Sequence, residues 1–182
     1  SEEGIISSYK FIQKLWSLNT KIIETINTNQ ITDEDDQDDK ISRYTNKFIK
    51  KIKQNLENFS YNVIIANLHE MYSFLSKEIN KKYKKNILIE NYEKILITMM
   101  PIIPHFANEC LQKINFVGQK EWPKFNEKLT IDDMVLFVIQ INGKKRGLIQ
   151  IERGANEDTL LRKILEDKNI SKHLKNIEIK RK

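Results

Sequence analysis

VIQINGKKRG, residues 138–147, sets the reading of this chain. An alternating apolar run enters Asn142-Gly143, the dipeptide whose positive φ angles suit a two-residue hairpin turn, and three cations follow at once, Lys144, Lys145 and Arg146. The pattern predicts a rigid β-hairpin with a basic tip. Such a tip is either solvated decoration or a phosphate-binding element, and on a basic chain the second reading carries weight. Upstream, 134–141 places Val135, Phe137, Ile139 and Ile141 on one strand face and Met134, Leu136, Val138 and Gln140 on the other. Two partly apolar faces predict a strand covered on one side and close to further packing on the second. Downstream, 147–152 is the return strand. Asn156 is an N-cap before Glu157 and Asp158, in a helix expected to bury Leu160, Leu161, Ile164 and Leu165. A helical turn at 171–174 and a last strand at 176–180 complete a small ββα(α)β unit.

The residues before this unit have a different texture. Over 1–28, Phe11, Leu15, Leu18 and Ile22 form one helical row, and Ile5, Tyr9, Ile12, Trp16, Ile23 and Ile26 form another. So wide a stripe predicts a helix deep in a bundle, with Ser1 as its cap and Glu2 and Glu3 favourable in its first turn. The acidic run at 27–39 lacks the glycine and the distant glutamate of an EF-hand, so it reads as a solvated loop whose last aspartate caps the next helix. A second helix, 40–58, has Ile41, Tyr44, Phe48, Ile52 and Leu56 on one side and Lys40, Arg43, Lys47, Lys50, Lys51 and Gln54 on the other. With no acidic residue among these cations to pair with, the stripe is expected to repel itself and to favour an anionic partner.

A third helix, 60–81, is the most apolar and is expected to be central, with Asn62 and His69 as capping or satisfied polar residues. Helical spacing resumes at 88–100, breaks at Pro101 and Pro104, and continues over 102–114. His105 has no nucleophile motif beside it and no metal spacing to His69 or His173, so it is taken as structural. The expected organisation is mainly α: a four- to five-helix bundle at 1–114, a linker at 115–133 that is free to flex, and a small α+β domain at 134–182.

Bulk properties narrow the function classes. The formal charge is +6, and only five of the 31 basic residues are arginine. Lysine is a point-charge phosphate binder, whereas arginine is the bidentate reader, so backbone contact is favoured over base reading. Aromatic residues lie mostly at core spacing, and base stacking is not expected. One cysteine, Cys110, excludes an intrachain disulfide and a cysteine-built zinc site. No apolar run approaches the roughly 20 residues of a membrane span. No nucleophile–base pair, metal cluster or phosphate-cradling glycine loop is visible, so the chain is not expected to be an enzyme by itself.

Four stretches carry a family resemblance. SEEGIISSYKFIQKLWSLN resembles the opening helix of the anticodon-binding domain of leucyl-tRNA synthetases, and RYTNKFIKKIKQNLENFSYNVIIANLHEM resembles the next helix pair. MMPIIPHFANECL is similar to the helix whose Pro-x-x-Pro-His is shared by the class Ia synthetases for branched aliphatic amino acids and methionine. EWP, a spacer, then VLFVIQINGKKRGLIQI resembles the C-terminal hairpin of the bacterial leucyl enzymes in particular. The isoleucyl enzymes often end in a cysteine-rich zinc module and the valyl enzymes in a coiled coil, and neither pattern occurs here.

The resemblance implies a bundle lying along the inside of the tRNA L and a small module reaching its D-loop/T-loop corner. It implies leucine tRNA as the partner, a cytoplasmic monomer, and a parent protein that uses ATP and Mg. The catalytic and editing domains of that parent have no counterpart in these residues, so the chain is expected to be an inactive piece, without a cofactor, whose small domain is cut short. Lys40, Arg43, Lys47, Lys50 and Lys51, with Asn142, Lys144, Lys145 and Arg146, are the expected tRNA contacts. A helical protein-interaction scaffold with a β appendage is the competing reading. It predicts a basic face that tolerates charge reversal.

Overall fold

The computed structural model describes residues 2–28, 35–81, 83–131 and 134–174, with the side chains of 35–38 outside that description. The Ser1 cap, most of the acidic loop and the strand expected at 176–180 lie outside the described residues. The chain folds as two units, Ser1–Thr130 and Ile131–Lys182.

The first unit is built from α1 (Glu2–Thr28), α2 (Asp35–Glu57), α3 (Tyr61–Glu78), α4 (Lys85–Met99) and α5 (Pro104–Lys113). In α1 the row Phe11, Leu15, Leu18 and Ile22 is the inward one, buried together with Ile26. The other row is not buried deep at its start: Ile5 is 73% exposed and Tyr9 64%. A stripe this wide exceeds what the neighbouring helices cover at the first turns.

Helix α2 begins earlier than its hydrophobic pattern suggests, so Asp39 sits inside the helix and caps nothing. Ile41, Phe48 and Ile52 point into the core, where they join Ile64, Leu68 and Met71 of α3 and Ile95 and Leu96 of α4 in one cluster, and Ile49 is buried as well. Ser60 is the N-cap of α3 and His69 stacks on Phe11 with ring centroids 3.8 Å apart. Met100 to Ile103 turn the chain, and Pro104 opens α5, where its missing N–H is no loss.

The segment expected to be a linker is laid on the bundle over 115–130. Phe116 and Trp122 pack against the core. The Asn126 N–H donates to Asn46 Oδ1 at 2.6 Å, and a 3-10 turn, Glu127–Thr130, lies against α2. The sequence conceals this packing, because Phe116 and Trp122 are isolated apolar residues without periodicity and the polar anchors Asn46 and Lys50 lie far back in the chain.

The second unit pairs β1 (Met134–Ile141) with β2 (Lys144–Glu152), followed by α6 (Glu157–Glu166) and α7 (Lys168–Ser171). Asn142 and Gly143 both have positive φ, 51° and 75°, as a type I′ turn demands. One sheet face carries the pairs Val135–Ile151, Phe137–Ile149 and Ile139–Gly147. Ile149, Ile151 and Ile170 of α7 are buried. The opposite face, Met134, Leu136, Val138 and Leu148, is 38–58% exposed, so the second layer of packing expected there is not found among the described residues. Asn156 caps α6 by accepting from the Thr159 N–H at 2.9 Å, but of the four residues expected inside, Leu160, Leu161 and Ile164 are only half-buried and Leu165 is 55% exposed.

At Gly147 β2 lies against Ile170 of α7. A Cβ there would collide with Cδ1 and Cγ1 of Ile170. Gly147→Ala is expected to destabilise this unit by about 1–3 kcal/mol through overpacking. Hydrogen exchange checks it: faster exchange confined to 134–174, with the bundle unchanged, is the expected pattern.

Candidate nucleic-acid interface

The basic face of α2 forms as its spacing predicts, because burying Ile41, Phe48 and Ile52 turns Lys40, Arg43, Lys47, Lys50 and Lys51 outward. Its electrostatics differ from the expectation. Lys40 Nζ lies 2.5 Å from Glu78, Lys50 Nζ 2.6 Å from Glu127, and Lys51 Nζ 3.2 Å from Glu70. Arg43 Nε donates to Asp39 one turn earlier, and Lys47 is engaged as well. Four of the five cations are thus paired with carboxylates of the protein itself, which relieves the self-repulsion expected of the stripe. Asp39 was within reach of the helical spacing rule. Glu70 and Glu78 come from α3 and Glu127 from the 3-10 turn, so only the tertiary fold brings them to α2.

The Lys40 site is the most enclosed. Glu78 accepts from Lys40, from Lys81 at 3.0 Å and from the buried Tyr83 hydroxyl at 2.6 Å. Burial raises its pKa, but these hydrogen bonds outweigh it and bring the carboxyl down to about 2. At Lys50, the ammonium also lies 3.4 Å from Thr130 Oγ1 and 6.0 Å from the Phe125 ring centroid. Its hydrogen bond to Glu127 holds that carboxyl below the usual range.

The hairpin tip presents the opposite case. Asn142, Lys144, Lys145 and Arg146 are exposed, and no ion pair to the three cations occurs among the described residues. Gln140 pairs with Lys145 and Ile139 with Gly147, which leaves Arg146 as the extra residue of a β-bulge. A bulge re-aims a side chain out of strict alternation, so the tip cations do not divide cleanly between the two faces. The Gly147–Ile170 approach also brings the end of α7 near Arg146. Burial, then the positive charges of Arg146 and Lys172, hold the His173 imidazole below its usual pKa. Lys172 thus joins the tip's positive field, whereas His173, its pKa lowered, stays mainly neutral near pH 7; no sequence spacing points to either.

Enzymatic groups do not converge among the described residues. Cys110 is fully buried with its thiol pushed up to about 12, chiefly by burial. His105 lines a mostly apolar groove of about 450 Å³ with Trp16, Ile103, Phe106 and Glu109. Glu109 is paired with Lys113, and no nucleophile stands in that lining. No group of three or more metal-ligating side chains occurs among the described residues. No helix among them is long and apolar enough to cross a membrane.

Residues 38–165 match the family described as the anticodon-binding domain of tRNA ligase, and the chain belongs to that family. It is similar to the leucine–tRNA ligase of Fervidobacterium nodosum, with 31% identity over 92% of this chain and 22% of that protein. The leucine–tRNA ligase of Geotalea daltonii is 26% identical over all of this chain and 23% of its own length. Among solved structures, LeuRS of Agrobacterium radiobacter, crystallised as a ternary complex with tRNA and LeuAMS, superposes with a TM-score of 0.79. The match covers 100% of this chain and 24% of that one at 20% identity, which establishes the fold. The chain therefore spans under a quarter of the length of these relatives.

Proposed function

We propose that this chain is the tRNA-positioning region of a leucine–tRNA ligase. It holds leucine tRNA so that the acceptor end reaches a catalytic core that these 182 residues do not contain. The observation that carries this reading is the match to leucine–tRNA ligases over nearly the whole chain, bundle and hairpin unit alike. The partner is leucine tRNA, met through the α2 cations and the hairpin tip. Lysine-rich contacts supply affinity through phosphates, and the shape of the tRNA body supplies selectivity. ATP and Mg belong to the catalytic core, no cofactor belongs to this region, and the parent works as a cytoplasmic monomer.

The test is binding of the chain to labelled leucine tRNA across a salt series, with a tRNA lacking a long variable arm as competitor. Salt-sensitive binding that prefers leucine tRNA is the expected result. Equal binding to both tRNAs would remove selectivity from this region, and no binding at low salt would overturn the proposal. The internal pairing of the α2 cations is also what a protein-interaction scaffold would show, and the absence of tRNA binding would favour it.

A further inference from the structure

Resting on that reading, we propose that Glu127 and Glu70 guard α2, so that Lys50 and Lys51 accept an RNA phosphate only by exchanging a carboxylate the protein itself supplies. Both acids are placed, not incidental. Glu127 sits on a turn anchored to α2 by the 2.6 Å bond between the Asn126 N–H and Asn46 Oδ1. Thr130 Oγ1 donates within the same turn to the Glu127 carbonyl at 2.8 Å and lies 3.3 Å from its Oε2. Glu70 Oε2 accepts from Asn67 at 3.3 Å, and Asn67 in turn accepts from Asn55 of α2 at 2.9 Å. Two neighbouring lysines thus meet carboxylates from two different elements, each supported by an amide side chain.

The guard is shallow. Glu127 is 66% exposed, and Lys51 and Glu70 are both more than half exposed, so each carboxylate can swing into water. Exposed pairs of this kind resist opening only weakly. Their consequence is read in the salt dependence. A phosphate that takes a lysine paired in this way releases its own condensed cation, but the displaced carboxylate is left beside the RNA and attracts a cation in turn, so the net release, and with it the salt slope, stays small. The hairpin cations, with no such acid among the described residues, supply the slope instead.

Glu127→Gln keeps the shape and removes the charge. Leucine tRNA should then bind about 1.5- to 5-fold tighter, with a log K against log salt slope steeper by about 0.7–0.9. In a Lys50→Gln background the same change should leave the slope alone. Glu109→Gln, an acid paired with Lys113 on α5, controls for the loss of one negative charge. Glu70→Gln, with and without Lys51→Gln, repeats the test at the second pair, and far-UV circular dichroism confirms that the helices persist. Parent-like slopes in both Glu127→Gln and Glu70→Gln, or equal steepening when the partner lysine is absent, would overturn the guard while leaving the tRNA reading intact. Failure of parent and variants alike to bind tRNA would overturn both.

Discussion

Replacing Lys144, Lys145 and Arg146 together by glutamine is expected to weaken binding of leucine tRNA by on the order of 100-fold at 0.1 M salt. Each phosphate-bound cation removed takes about 0.7–0.9 from the salt slope, so three take roughly two to two and a half. The same substitutions at Lys50 and Lys51 should change affinity less and the slope hardly at all, because those lysines are already neutralised by Glu127 and Glu70. The contrast comes from structure, since both clusters look alike as text. The tip is held rigid by the positive-φ pair Asn142-Gly143, so its cations lose little freedom on binding. Filter binding across a salt series measures both numbers, and amide spectra that keep the hairpin pattern show that the tip variant remains folded. An unchanged slope in the tip variant would remove the hairpin from the interface.

What the sequence revealed divides along a physical line. Periodic features were legible: the inward row of α1, the two faces of α2, the Asn156 cap and the type I′ turn each follow from neighbours within four residues of one another. Features made by distant residues were not. Helical spacing gave α2 its basic stripe but could not supply Glu70, Glu78 or Glu127. It could not show that 115–130 lies on the bundle, because that attachment joins residues far apart in the chain: Phe116 and Trp122 on the core, Asn126 to Asn46 and Glu127 to Lys50. The Arg146 bulge was hidden for another reason: one unpaired residue shifts register without altering composition. Most of the fold was therefore readable from the chain, as was the membership of the basic clusters. Their charge state, which governs what they do, needed the tertiary structure.

Glu78 gives the largest expected effect on stability, and its pH dependence separates it from an ordinary core position. It stands at the last turn of α3, where the helix dipole disfavours a carboxylate, and it is 4% exposed. It persists there because Lys40 from α2, Lys81 just beyond α3 and the Tyr83 hydroxyl all donate to it. Lowering its pKa from 4.5 to about 2 means the folded state favours the ionised form. Its contribution is therefore fully present above about pH 4.5 and is lost as pH falls from there toward 2. The full shift corresponds to about 3 kcal/mol, an upper figure because Lys40 and Lys81 are about half exposed and water screens them. Glu78→Gln retains an acceptor for Tyr83 but not the charge. At pH 7 the variant should unfold in urea with about 2–3 kcal/mol less stability than the parent. Near pH 2.5 most of that difference should be gone, because the carboxyl of the unfolded parent, with its ordinary pKa of 4.5, is then protonated and favours unfolding. Comparing the two proteins at each pH cancels the other carboxylates. A gap that stays constant from pH 7 to 2.5 would mean that Glu78 acts through shape alone and that its three donors contribute no charge-dependent stability.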